Sequence, residues 1–169
     1  MKRAAALVAA ALCAGAAAPD DSPVWRAIRW TPPIDNWGTG LAFVCDNAGC
    51  PGGVKMFART KVGFCNCFSG VADDDEIDRI GDVDLHGETY KPDAPGAITE
   101  IGELRGRKRL FRIDNRFFGT THVMSIVVAT DCKAVVATLV SSAPITEAEE
   151  KTAVAVLSDK PFQQWAAAQ

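Results

Sequence analysis

Residues 122–141 carry the clearest structural pattern in the chain and read HVMSIVVAT, DCK and AVVATLVS in order. The outer segments, 122–130 and 134–141, are rich in Val, Ile and Thr, which favour β-strands. Asp131, Cys132 and Lys133 join them at a turn. The stretch therefore predicts a β-hairpin, the strongest in the chain.

Weaker strand patterns lie upstream of this hairpin. They cover residues 25–30, 41–45, 54–60 and 62–68, and then 98–104 and 108–113 on either side of Arg105-Gly106. The spacer at 46–53 is dense in turn-forming residues, so the strands at 41–45 and 54–60 are expected to form a hairpin. Consecutive hairpins without β-α-β crossovers indicate an antiparallel sheet.

Helix signals separate these strands and end the chain. Asp73 and Glu76 have the spacing of a helix N-terminus, and Thr146 and Glu149 match a capping box for a helix that runs to about residue 157. A short final helix is expected from Pro161. We therefore predict an α+β fold, with an antiparallel β-sheet, a helix after the N-terminal strands and C-terminal helices packed on the sheet.

This order of elements resembles the Mog1/PsbP-like fold, which has an N-terminal hairpin, a helix, a central antiparallel sheet and a C-terminal helix. The segment 102–106, GELRG, precedes a predicted strand and is a local sequence feature of the same resemblance. Members of that fold are mostly binding or assembly accessories. The resemblance implies such a role here.

The first eighteen residues are typical of a secretory signal peptide. Lys2 and Arg3 precede an apolar run, and Ala14 and Ala16 suit cleavage. Lipidation at Cys13 is disfavoured because the bulky Leu12 precedes it, and the apolar run is shorter than the ~20 residues that span a bilayer. We expect a signal peptide at 1–18, a flexible leader at 19–24 and a single domain at 25–169, exported to the periplasm or secreted.

The exported chain is expected to keep five of its six cysteines, and an oxidising compartment favours disulfides. Cys45 and Cys50 flank a turn that can bring them within bonding range. Cys132 is expected to bond Cys65 or Cys67, which share one strand face. The predicted disulfide set is Cys45, Cys50, Cys67 and Cys132.

Cys65 and Cys67 also support a different hypothesis. Two thiols two residues apart on one strand suit a soft ion such as copper(I), or thiol exchange with Cys132 as the resolving residue. A structural disulfide with one spare buried thiol is the simpler interpretation.

Residues 82–88, DVDLHGE, resemble the opening of a calcium loop, in which oxygen ligands alternate before a glycine. His86 stands where a hard oxygen ligand is expected, and Pro92 and Pro95 block the usual exit helix. The first expectation is a solvated acidic loop. The metal hypotheses are calcium, or a transition metal held by His86 with Asp82 or Asp84.

Basic residues cluster on one predicted strand. Because they occupy both strand faces, we expect an exposed or edge strand, where cations oppose aggregation. The alternative is a site for an anionic ligand or an acidic protein patch. The cluster comprises Arg105, Arg107, Lys108, Arg109 and Arg112.

Composition and motifs narrow the function classes. The net charge is −3, and losing Lys2 and Arg3 leaves about −5, which argues against nucleic acid as a partner. Hydrolase, zinc-protease and phosphate-loop motifs are absent from the sequence. A Cys65–His122 nucleophile pair is disfavoured because His122 opens an apolar strand. We therefore expect a non-enzymatic periplasmic binding or accessory protein without a cofactor, with copper or thiol handling as the alternative.

Overall fold

The computed structural model describes residues 22–33, 40–62, 70–116, 119–130 and 133–169. Within these ranges the chain forms eight β-strands, three α-helices and one short 3-10 helix. The strands are β1 Arg26–Ile28, β2 Leu41–Cys45, β3 Val54–Val62, β4 Tyr90–Pro92, β5 Ala97–Ile101, β6 Leu104–Asn115, β7 Gly119–Thr130 and β8 Lys133–Ser141. The helices are α1 Asp74–Ile80, the 3-10 helix Val83–His86, α2 Glu147–Ser158 and α3 Lys160–Ala168.

All eight strands join one antiparallel sheet in the order β1-β2-β3-β8-β7-β6-β4, and β5 also pairs with β6. The predicted hairpin at 122–141 forms β7 and β8, with His122 opposite Ser141. The N-terminal hairpin β2–β3 pairs with the other side of β8. This arrangement confirms an α+β fold with an antiparallel sheet.

The sheet has two buried faces, because side chains alternate along each strand. On the first face, Met124 and Leu139 belong to a core that includes Leu157 of α2 and Phe162 of α3. On the second face, Val127 and Val136 pack with Ile77 of α1. Both sides of β7 and β8 are therefore covered, which explains their nearly continuous apolar sequence.

Both predicted helix starts are confirmed. The Asp73 side chain accepts a hydrogen bond from the Glu76 backbone N–H at 2.9 Å. Thr146 and Glu149 form a complete capping box at the start of α2. Each cap satisfies backbone N–H groups that have no partner within the helix.

The Cys45–Cys50 disulfide is present, with the two Cα atoms 5.8 Å apart. It closes the turn-rich loop between β2 and β3, and both cysteines are buried. The sequence-based pairing of these two residues is confirmed.

Three strand predictions need comment. The first strand is shorter than the predicted 25–30, because only Arg26–Ile28 pairs with β2. The predicted edge position of the basic strand is wrong, since β6 lies between β7 and the pair β4 and β5. The strand predicted at 62–68 lies mostly outside the described residues, as do the predicted signal peptide at 1–18 and residues 19–21 of the predicted leader.

No helix among the described residues is long and apolar enough to cross a membrane.

Candidate functional site

A cavity of about 170 Å³ opens on the second face of the sheet, between β3, β8 and the 3-10 helix. Its walls combine aromatic and aliphatic side chains with four polar ones, a composition typical of small-molecule sites. The lining residues are Trp30, Pro33, Phe57, Arg59, Asp82, Leu85, His86 and Thr138. We call this cavity the Trp30 pocket.

Three rings form a row along one wall of the Trp30 pocket. The ring centroids of Trp30 and Phe57 are 5.1 Å apart, and those of Phe57 and His86 are 5.5 Å apart. Gly40 makes room for this row, since a Cβ atom there would lie 2.2 Å from the Trp30 ring. The row offers adjacent aromatic surfaces to a ligand.

Asp82 connects the 3-10 helix to strand β3. Its carboxylate accepts two hydrogen bonds from Arg59, Nε to Oδ2 at 2.5 Å and Nη2 to Oδ1 at 2.7 Å. Lys61 Nζ lies 2.5 Å from Oδ1 of the same carboxylate. Arg59 and Lys61 are two residues apart on β3 and therefore share the face that Asp82 contacts.

The backbone of Asp82 is left-handed, with φ of 58°. Within the described part of the chain it is the one non-glycine residue with a positive φ. The preceding turn is anchored where Ser125 Oγ donates a hydrogen bond to the Gly81 carbonyl oxygen at 2.8 Å. The ion pairs hold this uncommon conformation in place, and such conformations concentrate at functional sites.

His86 lies over the sheet at the other end of the 3-10 helix. Its Nε2 atom is hydrogen bonded to Thr138 Oγ1 at 3.1 Å, and Thr138 is the register partner of Phe57. Burial lowers the pKa of His86 below its ordinary value of 6.5, against the opposing effect of the Asp82 and Asp84 carboxylates. The lowered pKa therefore favours the neutral imidazole at pH 7.

The predicted solvated loop at 82–88 is wrong for Asp82, which is 6% exposed and ion paired. Asp84 is exposed, and His86 is partly buried against the sheet. No group of three or more His, Cys, Asp or Glu side chains within the described ranges is arranged to hold a metal ion. Calcium or transition-metal binding by Asp82, Asp84 and His86 stays a prediction.

The sulfur site predicted from sequence lies outside the described residues. Cys65, Cys67 and Cys132 all fall there, so their pairing and the copper and thiol-exchange hypotheses stay predictions. His122 is described, and it lies on β7 opposite Arg112 of β6.

The basic side chains of β6 largely form ion pairs within the molecule. Arg107 and Arg109 reach the second face, where they contact Asp74 of α1 at 2.5 and 3.6 Å. Arg109 also contacts Asp78 at 2.7 Å. The Gly96 backbone N–H and the Arg107 guanidinium lower the pKa of Asp74 below its ordinary value of 3.8. These contacts attach α1 to the sheet.

The other basic side chains of β6 differ in exposure. Lys108 is on the first face and pairs with Glu150 of α2. Arg112 makes looser contacts, 3.5 Å each, with Asp93 and Asp114, while Arg105 is exposed. The binding of an anionic partner by this strand stays a prediction.

Most of the Trp30 pocket was missed by reasoning from the sequence. The sequence predicts an apolar strand at 54–60 and places Trp30 at the end of the first predicted strand, 25–30. The available signal was the alternation of Phe57, Arg59 and Lys61, which places one aromatic and two cationic side chains on one strand face. Thr138 carried no signal of its own in an apolar strand.

Comparison with known protein families and with curated proteins finds no match to this chain.

Proposed function

We propose that this protein is an exported, non-enzymatic binding protein of the accessory type, and that the Trp30 pocket is its ligand site. The observation that carries the proposal is the composition of the pocket. It combines an aromatic row with a few polar groups that converge on one cavity, and such pockets typically bind small molecules.

The polar groups of the pocket are held by one another. Arg59 is bound to Asp82, and His86 is bound to Thr138. Mutual contacts of this kind fix side-chain positions before a ligand arrives. Binding then requires little ordering of the protein, which favours affinity.

Export is proposed from the N-terminal sequence. The buried Cys45–Cys50 disulfide supports it, because disulfides form and persist in oxidising compartments. The small size of the domain is compatible with an accessory that presents one ligand site.

The proposal is tested with thermal shifts of the exported protein against a panel of small metabolites. The variants are Phe57→Ala, Trp30→Ala and the control Lys55→Ala, whose exposed side chain is on the same face of β3 outside the pocket. At least one compound should raise the Tm of the parent and of the control, and raise it much less in both pocket variants.

Two results would overturn the proposal. One is a panel in which no compound raises the parent Tm. The other is a full ligand-induced shift in both Phe57→Ala and Trp30→Ala, which would place binding elsewhere.

A further inference from the structure

We infer that the ligand of the Trp30 pocket is a compact uncharged aromatic molecule that carries one hydroxyl group, of the phenol type. This inference rests on the proposed function, because it assigns a ligand class to the same site. Cavity size, ring contacts, charge and hydrogen-bonding groups each support it.

The size of the cavity suits a single ring. Its volume is about 170 Å³. A cavity of roughly 150 Å³ lined by apolar side chains is large enough to bind benzene. A fused or multi-ring ligand would have to extend beyond the cavity.

The walls favour an aromatic ligand. Trp30, Phe57 and His86 form the aromatic row, and Leu85 and Pro33 add further apolar lining. Aromatic pairs in offset or edge-to-face contact are stabilised beyond the burial of their apolar area. A flat ring would therefore gain more here than an aliphatic ligand of equal size.

The charges of the lining disfavour a charged ligand. Arg59 and Asp82 are the charged residues of the pocket wall, and they bind each other through two hydrogen bonds. An anionic ligand would compete with Asp82 for Arg59. A cationic ligand would have to compete with Arg59 and Lys61, which both already contact the Asp82 carboxylate.

The hydrogen-bonding groups suit a hydroxyl. Thr138 Oγ1 is hydrogen bonded to His86 Nε2. A threonine hydroxyl has one donor and two acceptor positions, so it can bind a ligand hydroxyl as well. Burial lowers the pKa of His86 and so favours the neutral imidazole, which adds no charge to this end of the pocket.

The experiment is isothermal titration calorimetry at pH 7.5 with four single-ring probes: phenol, toluene, benzoate and benzylamine. Phenol should bind the parent about fivefold or more tightly than each of the others. Thr138→Val preserves the side-chain shape and removes the hydroxyl. It should therefore weaken the affinity for phenol by about fivefold, which corresponds to one hydrogen bond of ~1 kcal/mol. Lys55→Ala should bind phenol as the parent does.

Tighter binding of benzoate or benzylamine than phenol would overturn the ligand class, as would equal binding of toluene and phenol. Unchanged phenol affinity in Thr138→Val would overturn the proposed hydrogen bond between the Thr138 hydroxyl and the ligand hydroxyl. If phenol fails but a panel compound still depends on Phe57, the ligand class is wrong and the proposed function stands. If no compound binds the parent, both are wrong.

Discussion

Arg59 and Asp82 form a two-point ion pair across the second face of the sheet, with Arg59 Nη2 at 2.7 Å from Asp82 Oδ1. The side chains are only 12% and 5% exposed, so little water competes for this contact. The pair attaches the 3-10 helix to β3 and so places His86 beside Phe57. The aromatic row of the Trp30 pocket depends on this attachment.

Removal of the Asp82 charge is expected to destabilise the protein. Asp82→Asn keeps a residue that tolerates the left-handed backbone, but leaves Arg59 and Lys61 without their shared carboxylate. Breaking a buried ion pair from one side typically costs about 3 kcal/mol or more. Urea unfolding should therefore show a free energy of unfolding lower by about that amount.

Asp84→Asn is the matched control for this prediction. Asp84 is two residues away in the same 3-10 helix but is exposed. An exposed substitution of this kind usually changes stability by less than about 0.5 kcal/mol. Equal losses in the two variants would show that the ion pair contributes nothing specific.

Stability should fall as the pH drops below the ordinary pKa of His86. Burial lowers the folded-state pKa of His86 beneath 6.5, so the unfolded chain takes up a proton first and unfolding is favoured as the pH falls. For one such group, the free energy of unfolding changes with pH by at most about 1.4 kcal/mol per pH unit. Urea unfolding between pH 8 and pH 5 measures it.

His86→Gln is the comparison, since glutamine does not titrate. The variant will be less stable at every pH because it loses the ring contact with Phe57, so the informative quantity is the slope. The slope below pH 6.5 should be shallower than in the parent. Parallel curves would contradict a lowered pKa of His86 in the folded protein.

The Cys45–Cys50 disulfide should contribute about 2 kcal/mol, as chain-entropy reasoning gives for cysteines five residues apart. The double variant Cys45→Ala/Cys50→Ala should lose roughly that much stability. Peptide mapping without reduction should recover Cys45 linked to Cys50. A peptide that joins Cys45 to Cys132 would contradict the assignment.

Arg109→Gln should destabilise the attachment of α1 to the sheet. Arg109 contacts Asp78 at 2.7 Å and is 12% exposed, and hydrogen bonds to charged groups contribute about 1.5–3 kcal/mol. Arg105→Gln, on the same strand but exposed, is the control and should change stability by less than about 0.5 kcal/mol. Hydrogen exchange in α1 should increase in the first variant alone.

Local patterns in the sequence predicted much of the secondary structure. The Val- and Ile-rich segments became β7 and β8, and the Thr146–Glu149 spacing became a capping box. The Cys45–Cys50 pair was predictable because its loop is short. Each of these features depends on residues near one another in the chain, so a local rule is sufficient.

The pocket and the position of the basic strand were decided by tertiary structure. Trp30, Phe57, His86 and Thr138 are far apart in sequence and meet because β3 pairs with β8 and the 3-10 helix packs above them. The charge pattern predicted an edge position for β6, but Asp74 and Asp78 of α1 pair with Arg107 and Arg109 inside the fold. The sequence determined most of the strands and helices through local backbone preferences. Only the packing of distant segments decided which side chains share a cavity and which charges find partners, because these depend on strand order and helix position.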